Sequence, residues 1–173
     1  VKAFENEKEL APNELGELYV RGDTLMNGYR FDDEKLNPFY VDEHNTRWIK
    51  TGDYGKVDEE GYVYFIQRLK RIIKINGINV FPREIESAIA KLPNVFECYL
   101  KRIDDEKHGS LMDLHLVVNK PVDQASFNEE IKQLIKDKFG VYAIPKHIVY
   151  HERLPKTLVG KINEQALKNE DNQ

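Results

Sequence analysis

Alternating apolar and polar positions dominate residues 1–69, and this pattern is typical of half-buried β-strands. Leu15, Leu18 and Val20 lie among polar residues over 14–21, so we predict a strand there. Two further elements follow from the same pattern: a short strand over 48–53 that ends in a turn, and a hairpin over 56–66 with its turn at 58–61.

Residues 32–45 break this alternation, because they are polar, contain Pro38 and have few periodic apolar positions. We expect a surface loop there, with at most a short helix over 33–36. No stretch before residue 69 predicts a helix long enough to cover the strands. This part of the chain is therefore predicted to be a small β-barrel or sheet that packs on something outside the sequence.

Helical periodicity replaces alternation in the second part of the chain. Apolar residues recur at helical spacing over 82–92 and again over 127–139, and each stretch predicts an amphipathic helix. We expect Asp123 or Ser126 to cap the second helix and Gly140 to close it.

Two alternating segments between these helices predict a pair of antiparallel strands. Phe96, Cys98 and Leu100 form the apolar side of the first, and His115 points outward from the second, over 112–118, as a surface residue. The order β-β-α-β-β-α-β predicts an α+β domain with one sheet and two helices on one face. Its last elements are a strand over 147–150 and a turn with a short helix over 160–168.

Residues 67–86 separate the two patterns and predict a connector, two short strands joined at Asn76 and Gly77, and a helix start. Basic residues crowd the beginning of this stretch. On their own, they fit a plain connector between two folding units equally well. The four are Arg68, Lys70, Arg71 and Lys74.

Composition excludes several classes of function. A net charge of −4 and a pI of about 5.8 give no basic field for nucleic acid or an anionic membrane. Cys98 is the only cysteine, which excludes an internal disulfide and a cysteine-cluster metal site and fits a reducing, cytoplasmic location. The longest apolar run, 62–66, is too short to cross a bilayer. The chain begins with Val1 and enters strand patterning early, so we expect a fragment of a longer protein.

No catalytic triad, zinc-ligand spacing or Walker-type glycine loop is present, but three short stretches carry chemical groups. Asp53 follows Thr51 and Gly52, and its carboxylate can accept hydrogen bonds from two ribose hydroxyls. Arg68 lies in the connector, and Lys161 lies on a glycine-bearing loop near the end. Singly, each has a simpler explanation: a turn residue, a basic connector and a solvated lysine.

In this order and spacing, the stretches resemble the AMP-forming acyl-CoA synthetase branch of the adenylate-forming enzyme superfamily. The resemblance covers nearly the whole chain. Its four segments are residues 16–22, 48–53, 67–86 and 155–161.

The resemblance implies an ATP-dependent carboxylate–CoA ligase that forms an acyl-adenylate and then an acyl-CoA thioester, as in fatty acid metabolism. Residues 1–69 would end the large amino-terminal domain, and residues 70–173 would form the mobile carboxyl-terminal domain. ATP, Mg²⁺, CoA and a small-molecule carboxylate would be substrates or cofactors. The missing amino-terminal part would be a partner, and this fragment alone would be inactive.

The resemblance also implies a role for individual residues. Asp53 would bind the ATP ribose, and Arg68 would support the ribose or phosphates. Lys161 would reach the α-phosphate and the substrate carboxylate during adenylation. Lys70 would be the hinge. Lys74 and Gly77 would line the pantetheine channel, and no metal ligand is expected in the chain.

Two positions depart from the family pattern: Gln67 replaces a common glycine, and Asn163 and Glu164 stand where a basic residue often follows. Lys70 favours CoA ligases over peptide-synthetase adenylation domains, which more often carry aspartate there. A domain that loads a carrier protein remains an alternative. A non-catalytic module that binds CoA or a carrier is another.

Overall fold

A computed structural model describes residues 1–29 and 37–167 of the chain. The short helix predicted over 33–36 lies outside the described residues. The chain divides into two compact units, Val1–Arg71 and Ile72–Gln173.

In the described part of the first unit, six strands form one antiparallel sheet. Strands β1, β2 and β4 lie where the sequence predicted no strand. The hairpin turn predicted at 58–61 is confirmed, since the Asp58 N–H donates to the Tyr62 carbonyl over 3.0 Å. The strands are β1 Lys2–Glu5, β2 Lys8–Glu9, β3 Gly16–Val20, β4 Phe39–Val41, β5 Arg47–Val57 and β6 Val63–Arg68, in the order β2-β1-β3-β5-β4 with β6 on β5.

Aromatic side chains form the core of this sheet. Phe4 stacks on Tyr19 with ring centroids 4.2 Å apart, and Trp48 meets Phe4 edge-on at 5.2 Å. All three side chains are buried. Such pairs contribute beyond simple area burial because ring edges and faces carry opposite partial charge.

The prediction that a short strand over 48–53 ends in a turn is wrong. β5 runs through this point as one strand of 11 residues. Its register with β3 shifts between Glu17 and Tyr19, and Gly52 adopts φ +70°. Between these pairs β3 advances two residues, whereas β5 advances four, from Lys50 to Tyr54. The extra residues form a bulge, and the positive φ within it is easiest for glycine.

The second unit confirms the α+β class and the predicted order of elements. Its strands form two sheets rather than one, because β7 and β8 pair only with each other. β9 pairs antiparallel with β10, whereas β11 pairs parallel with β10. The elements are β7 Ile73–Ile75, β8 Ile78–Val80, α1 Pro82–Ile89, β9 Val95–Asp105, β10 Gly109–Val118, α2 Gln124–Phe139 and β11 His147–Tyr150.

Strand β10 separates two layers, because alternate residues of a strand face opposite sides. Met112, Leu114 and Leu116 are buried in the core that contains the apolar residues of α1 and α2. Val117 lies on the other face, in a smaller cluster with Tyr99, Leu154, Leu167 and Ile162. Asp123 caps α2 by accepting from the Ser126 N–H over 3.1 Å, and Gly140, at φ +92°, closes the helix.

Two sequence interpretations are wrong on this sheet. His115 has an exposed fraction of 0%, so it is not a surface residue. Phe96, expected on the apolar side of β9, is exposed because the β9–β10 register shifts between Val117 and Val118. That irregularity reverses the inward and outward positions at the start of β9.

Candidate functional site

Asp53 and Arg68 face each other across β5 and β6 as direct strand partners. Arg68 Nε lies 3.0 Å from Asp53 Oδ1, and Arg68 Nη1 donates to the Thr51 carbonyl over 2.6 Å. The guanidinium therefore bridges a side chain and the backbone of the same bulge. This rigid, planar group fixes the direction in which the carboxylate points.

Two residues that the sequence interpretation did not single out complete the bulge. The Thr51 hydroxyl donates to the Leu18 carbonyl over 2.7 Å and accepts from the Asp53 N–H over 3.0 Å. Glu17 Oε1 accepts from the Gly52 N–H over 3.0 Å. Backbone groups that leave the strand ladder at the bulge thus gain side-chain partners. Only the strand pairing reveals these roles, since Glu17 lies far from Gly52 in sequence.

The exposure of the pair suits ligand contact. The Asp53 side chain is 26% exposed and the Arg68 side chain 54%. A carboxylate with one oxygen on a guanidinium keeps further lone pairs for hydroxyl donors. The geometry can therefore bind a vicinal diol, with the arginine positioned for a nearby anion.

Lys161 lies on a hairpin-like loop that we call the Lys161 loop, residues 156–162, closed by a bridge between Lys156 and Ile162. The Thr157 N–H donates to the Lys161 carbonyl over 2.7 Å, and the Lys161 N–H donates to the Thr157 hydroxyl over 3.2 Å. Gly160 turns the chain with φ +78°. The backbone of Lys161 is fixed on both sides while the residue itself is exposed.

The base of this loop packs on the second unit's three-stranded sheet. Lys156 Nζ lies 2.9 Å from Glu97 Oε1 on β9. Leu154, just before the loop, and Ile162, its last residue, contribute to the apolar cluster around Tyr99. The tip stands clear of these contacts, because Leu158 is fully exposed.

Lys74 and Gly77 share the β7–β8 hairpin. Asn76 and Gly77 have φ +49° and +82°, the backbone signs of a tight hairpin turn. A Cβ at Gly77 would meet nothing within 4 Å among the described residues, so conformation explains this glycine here. The Asn76 N–H donates to the His108 carbonyl over 3.1 Å, which fixes the turn to the β9–β10 hairpin.

Lys70 lies in a short 3₁₀ turn, Leu69–Arg71, that follows β6. None of the three residues of this turn is buried. The division between the two compact units falls directly after Arg71.

The structure therefore brings Asp53 and Arg68 together in one unit and Lys74 and Gly77 together on one hairpin. Lys161 lies on its own loop. Among the described residues, no group of three or more histidines, cysteines, aspartates or glutamates is arranged to hold a metal ion. Within the same residues, no helix has the length and apolar character needed to cross a membrane.

Comparison with known protein families finds a match within the second unit. Residues 84–161 match the family model of the AMP-binding enzyme C-terminal domain. This stretch of the chain is similar to AMP-binding enzyme C-terminal domains. The matched region begins within α1, includes the three-stranded sheet and ends at Lys161.

Curated relatives extend the similarity to both units. It is 34% identical over 167 residues to 2-succinylbenzoate–CoA ligase from Bacillus licheniformis, covering 96% of this chain and 33% of the relative. It is 33% identical over 161 residues to a long-chain-fatty-acid–CoA ligase from Bacillus subtilis, covering 93% of this chain and 28% of the relative. The chain thus spans about a third of the length of these relatives.

A solved structure gives the same result for the fold. The chain aligns with o-succinylbenzoate-CoA synthetase from Bacillus subtilis, solved in complex with its acyl-adenylate intermediate, with a TM-score of 0.77 and 30% identity. The alignment covers 97% of this chain and 33% of the synthetase chain.

Proposed function

We propose that this chain forms the carboxyl-terminal part of an ATP-dependent carboxylate–CoA ligase. The ligase would form an acyl-adenylate and pyrophosphate, and the CoA thiol would then displace AMP from the acyl group to give the thioester. The observation that carries the proposal is Lys161, exposed on a loop with a fixed base inside the matched domain. The CoA ligases among the relatives support the same reaction class.

The Asp53–Arg68 pair is proposed to bind the nucleotide. Asp53 would accept hydrogen bonds from the two ribose hydroxyls of ATP, and Arg68 would contact the ribose or phosphates. The 3.0 Å contact between Arg68 Nε and Asp53 Oδ1 supports these roles, because it orients the carboxylate before a ligand arrives. Pre-orientation lowers the entropy lost on binding.

Lys161 is proposed to act in adenylation. Attack of a carboxylate oxygen on the α-phosphorus forms the acyl–phosphate bond and breaks the bond to pyrophosphate. The attacking group and the phosphate are both anionic, and a fixed ammonium group offsets their repulsion and the charge that develops. The exposed side chain of Lys161 on a fixed backbone suits that task.

Thioester formation is proposed to use the β7–β8 hairpin in place of the Lys161 loop. Lys74 and Gly77 would line the channel through which the pantetheine arm of CoA reaches the adenylate. Residues 70–173 would act as the mobile domain and residues 1–69 as the end of the larger one, with Lys70 as the hinge. The 3₁₀ turn around Lys70 supports a pivot there, since it has no buried residue and Lys70 itself is exposed.

Mg²⁺ is expected to accompany ATP in this reaction. The described residues hold no group of carboxylates or histidines that fits a metal ion, so we assign this chain no ligand to Mg²⁺. The missing amino-terminal part of the ligase is proposed to supply the acyl pocket and the remaining phosphate contacts. A cytoplasmic location stays a prediction based on the single cysteine, Cys98.

The test is a pair of assays on the longer protein that contains this chain. Carboxylate-dependent exchange of pyrophosphate into ATP measures adenylation, and thioester formation from CoA measures the second step. Both activities are expected with one class of carboxylate. Adenylation with transfer only to a carrier protein would favour the peptide-synthetase alternative. Binding of CoA with neither activity would indicate a non-catalytic module.

A further inference from the structure

A buried histidine pair lies outside all of the motifs above. His115 Nδ1, on β10, is 2.8 Å from His151 Nε2, just after β11. His115 is fully buried and His151 is half-buried. His115 Nε2 has no hydrogen-bond partner among the described residues.

This geometry restricts how many protons the histidine pair can carry. A neutral imidazole has one N–H and one bare nitrogen, so one ring can donate to the other when both are neutral. If His115 donates through Nδ1, its buried Nε2 is the bare nitrogen. Two neutral rings carry two ring protons in total. Adding a third proton must either place two N–H groups face to face or put an N–H on His115 Nε2. Both outcomes are unfavourable, because the contact is lost or a buried donor is left without an acceptor.

The strand beside the pair opposes added positive charge. Tyr99 and Lys101 on β9 lie on the same face as His115, with Tyr99 its direct strand partner. Lys101 acts on His115 electrostatically and donates to the Leu167 carbonyl over 2.7 Å. The Tyr99 hydroxyl donates to Glu164 Oε1. A proton on His115 would therefore meet a lysine charge and a tyrosine already committed to another acceptor.

The other neighbouring histidine has a different environment. His147 on β11 contacts the buried carboxylate of Asp113, with Nδ1 2.9 Å from Oδ1. Asp113 lies two residues before His115 on β10. His147 therefore lies against a carboxylate, whereas His115 lies in the field of the Lys101 charge.

The histidine pair links β10 to the segment that carries the Lys161 loop. We define this as the C-terminal segment, residues 151–167. It starts at His151, whose N–H donates to the Leu116 carbonyl over 2.8 Å. It ends at Leu167, whose carbonyl accepts from Lys101, the lysine that acts on His115. Both ends of the segment thus converge on the surroundings of His115.

We propose that the neutral His115–His151 contact positions the Lys161 loop, and that proton uptake by this pair releases the C-terminal segment from the sheet. His115 and His151 are positioning residues and would not touch the substrate. The consequence for adenylation rests on the function proposed for Lys161. The release of the C-terminal segment does not depend on that function.

The direction of the pKa changes supports this role of the histidine pair. Burial, then the charges of His151 and Lys101, lowers the pKa of His115 to about 4. Burial also lowers the pKa of His151. Both rings therefore resist protonation while the segment is packed, and they take up protons when it opens.

The first test uses the 173-residue chain and needs no enzyme activity. Ring-nitrogen NMR should find His115 neutral at about pH 5.5, a full unit below the usual histidine pKa. Amide exchange over residues 151–167, corrected for its intrinsic pH dependence, should accelerate on acidification. If opening of the segment takes up one proton, the corrected exchange rate can rise by at most about tenfold for each pH unit of acidification. Normal titration of His115 near pH 6.5, or no change in corrected exchange, would overturn the proposal.

Variants separate the histidine pair from a general effect of acid. H115L combined with H151L removes both imidazoles and should abolish the pH dependence of exchange over 151–167. H44Q removes an exposed histidine of the first unit and should leave that dependence unchanged. A pH response that persists in the double variant would contradict the proposal. If the double variant does not fold, the titration of His115 in the wild-type chain tests the proposal.

A third measurement tests the effect of the histidine pair on the proposed reaction. In the longer protein, adenylation should fall at acidic pH more steeply in the wild type than in the double variant. Thioester formation from supplied adenylate should not show this difference. If adenylation is absent altogether, the proposed function fails, while the exchange experiment still tests the histidine pair.

Discussion

Arg68 reaches across from β6 to fix both the side chain of Asp53 and the backbone of the bulge that presents it. Nε lies 3.0 Å from Asp53 Oδ1, and Nη1 lies 2.6 Å from the Thr51 carbonyl oxygen. A single guanidinium therefore couples the position of the carboxylate to the shape of the strand.

Substituting Asp53 or Arg68 should weaken ATP binding in the longer protein. D53N keeps the shape but removes the charge that would accept ribose hydroxyls, and we expect KM for ATP to rise by about 10- to 100-fold, the scale of a charged hydrogen bond. R68K keeps a charge but cannot make both contacts, so a smaller rise is expected. E59Q, in an exposed turn, is the control. Equal KM values in D53N and wild type would exclude Asp53 from the nucleotide site.

Gly55 should tolerate no side chain. A Cβ there would lie 2.3 Å from the Tyr64 carbonyl oxygen on β6. We expect G55A to lower the free energy of unfolding by about 1–3 kcal/mol, the range for overpacking. G22A is the matched control, because a Cβ at Gly22 meets nothing within 4 Å. Urea titration of both variants measures the difference, and equal stabilities would contradict the expected clash.

Lys161 should matter for one half-reaction only. In the longer protein, K161A is expected to slow adenylation by about 10²–10³-fold, the scale for losing one preorganised charge. Thioester formation from supplied acyl-adenylate should stay close to wild type. K91A removes an exposed lysine from the turn after α1 and is the control. Equal damage to both steps would indicate that Lys161 is structural.

Lys70 should act through its backbone rather than its charge. K70P would fix φ near about −65° and would also restrict Leu69. We expect K70P to impair thioester formation and largely spare adenylation, while K70A leaves both close to wild type. Pyrophosphate exchange and thioester assays on each variant test this. If proline spares both steps the pivot lies elsewhere, and if alanine is equally damaging the hinge role is wrong.

Acid should destabilise the chain well before its carboxylates titrate. The pKa of His115 is lowered to about 4 in the folded protein, so the unfolded chain binds more protons between pH 6.5 and 4. The free energy of unfolding should therefore fall as pH drops through this window, by up to about 3 kcal/mol for the full shift. Hydrogen bonds lower the pKa of Asp105 and Asp123, and their contributions are lost only at lower pH. A flat stability between pH 6.5 and 5 would contradict the assignment to His115.

Local patterns predicted most of the second unit because its helices and strands have clear periodicity. Asp123 and Gly140 illustrate this, since a cap and a helix end are set by neighbours in sequence. The bulge at Gly52 could not be found this way, because its hydrogen bonds come from Glu17 and Leu18 on another strand.

His115 shows the same limit of prediction from local sequence patterns, here in the core. A polar residue between apolar neighbours on a strand predicts an outward side chain. Its burial depends on His151, which is brought beside it only when β11 pairs with β10. Lys161 could be named from a motif, whereas the contacts that position its loop come from residues on β9 and β10.

The parallel pairing of β11 with β10 has a consequence for how the second unit folds. β9 and β10 are joined by a tight hairpin, but β11 follows β10 only after a crossover that contains α2. Closing such a long connection costs more chain entropy than closing a hairpin and slows the step that depends on it. β11 should therefore dock late, after the β9–β10 hairpin and α2 have formed. Because the Lys161 loop follows β11, the lysine would be the last of the proposed catalytic groups to reach its place as the chain folds.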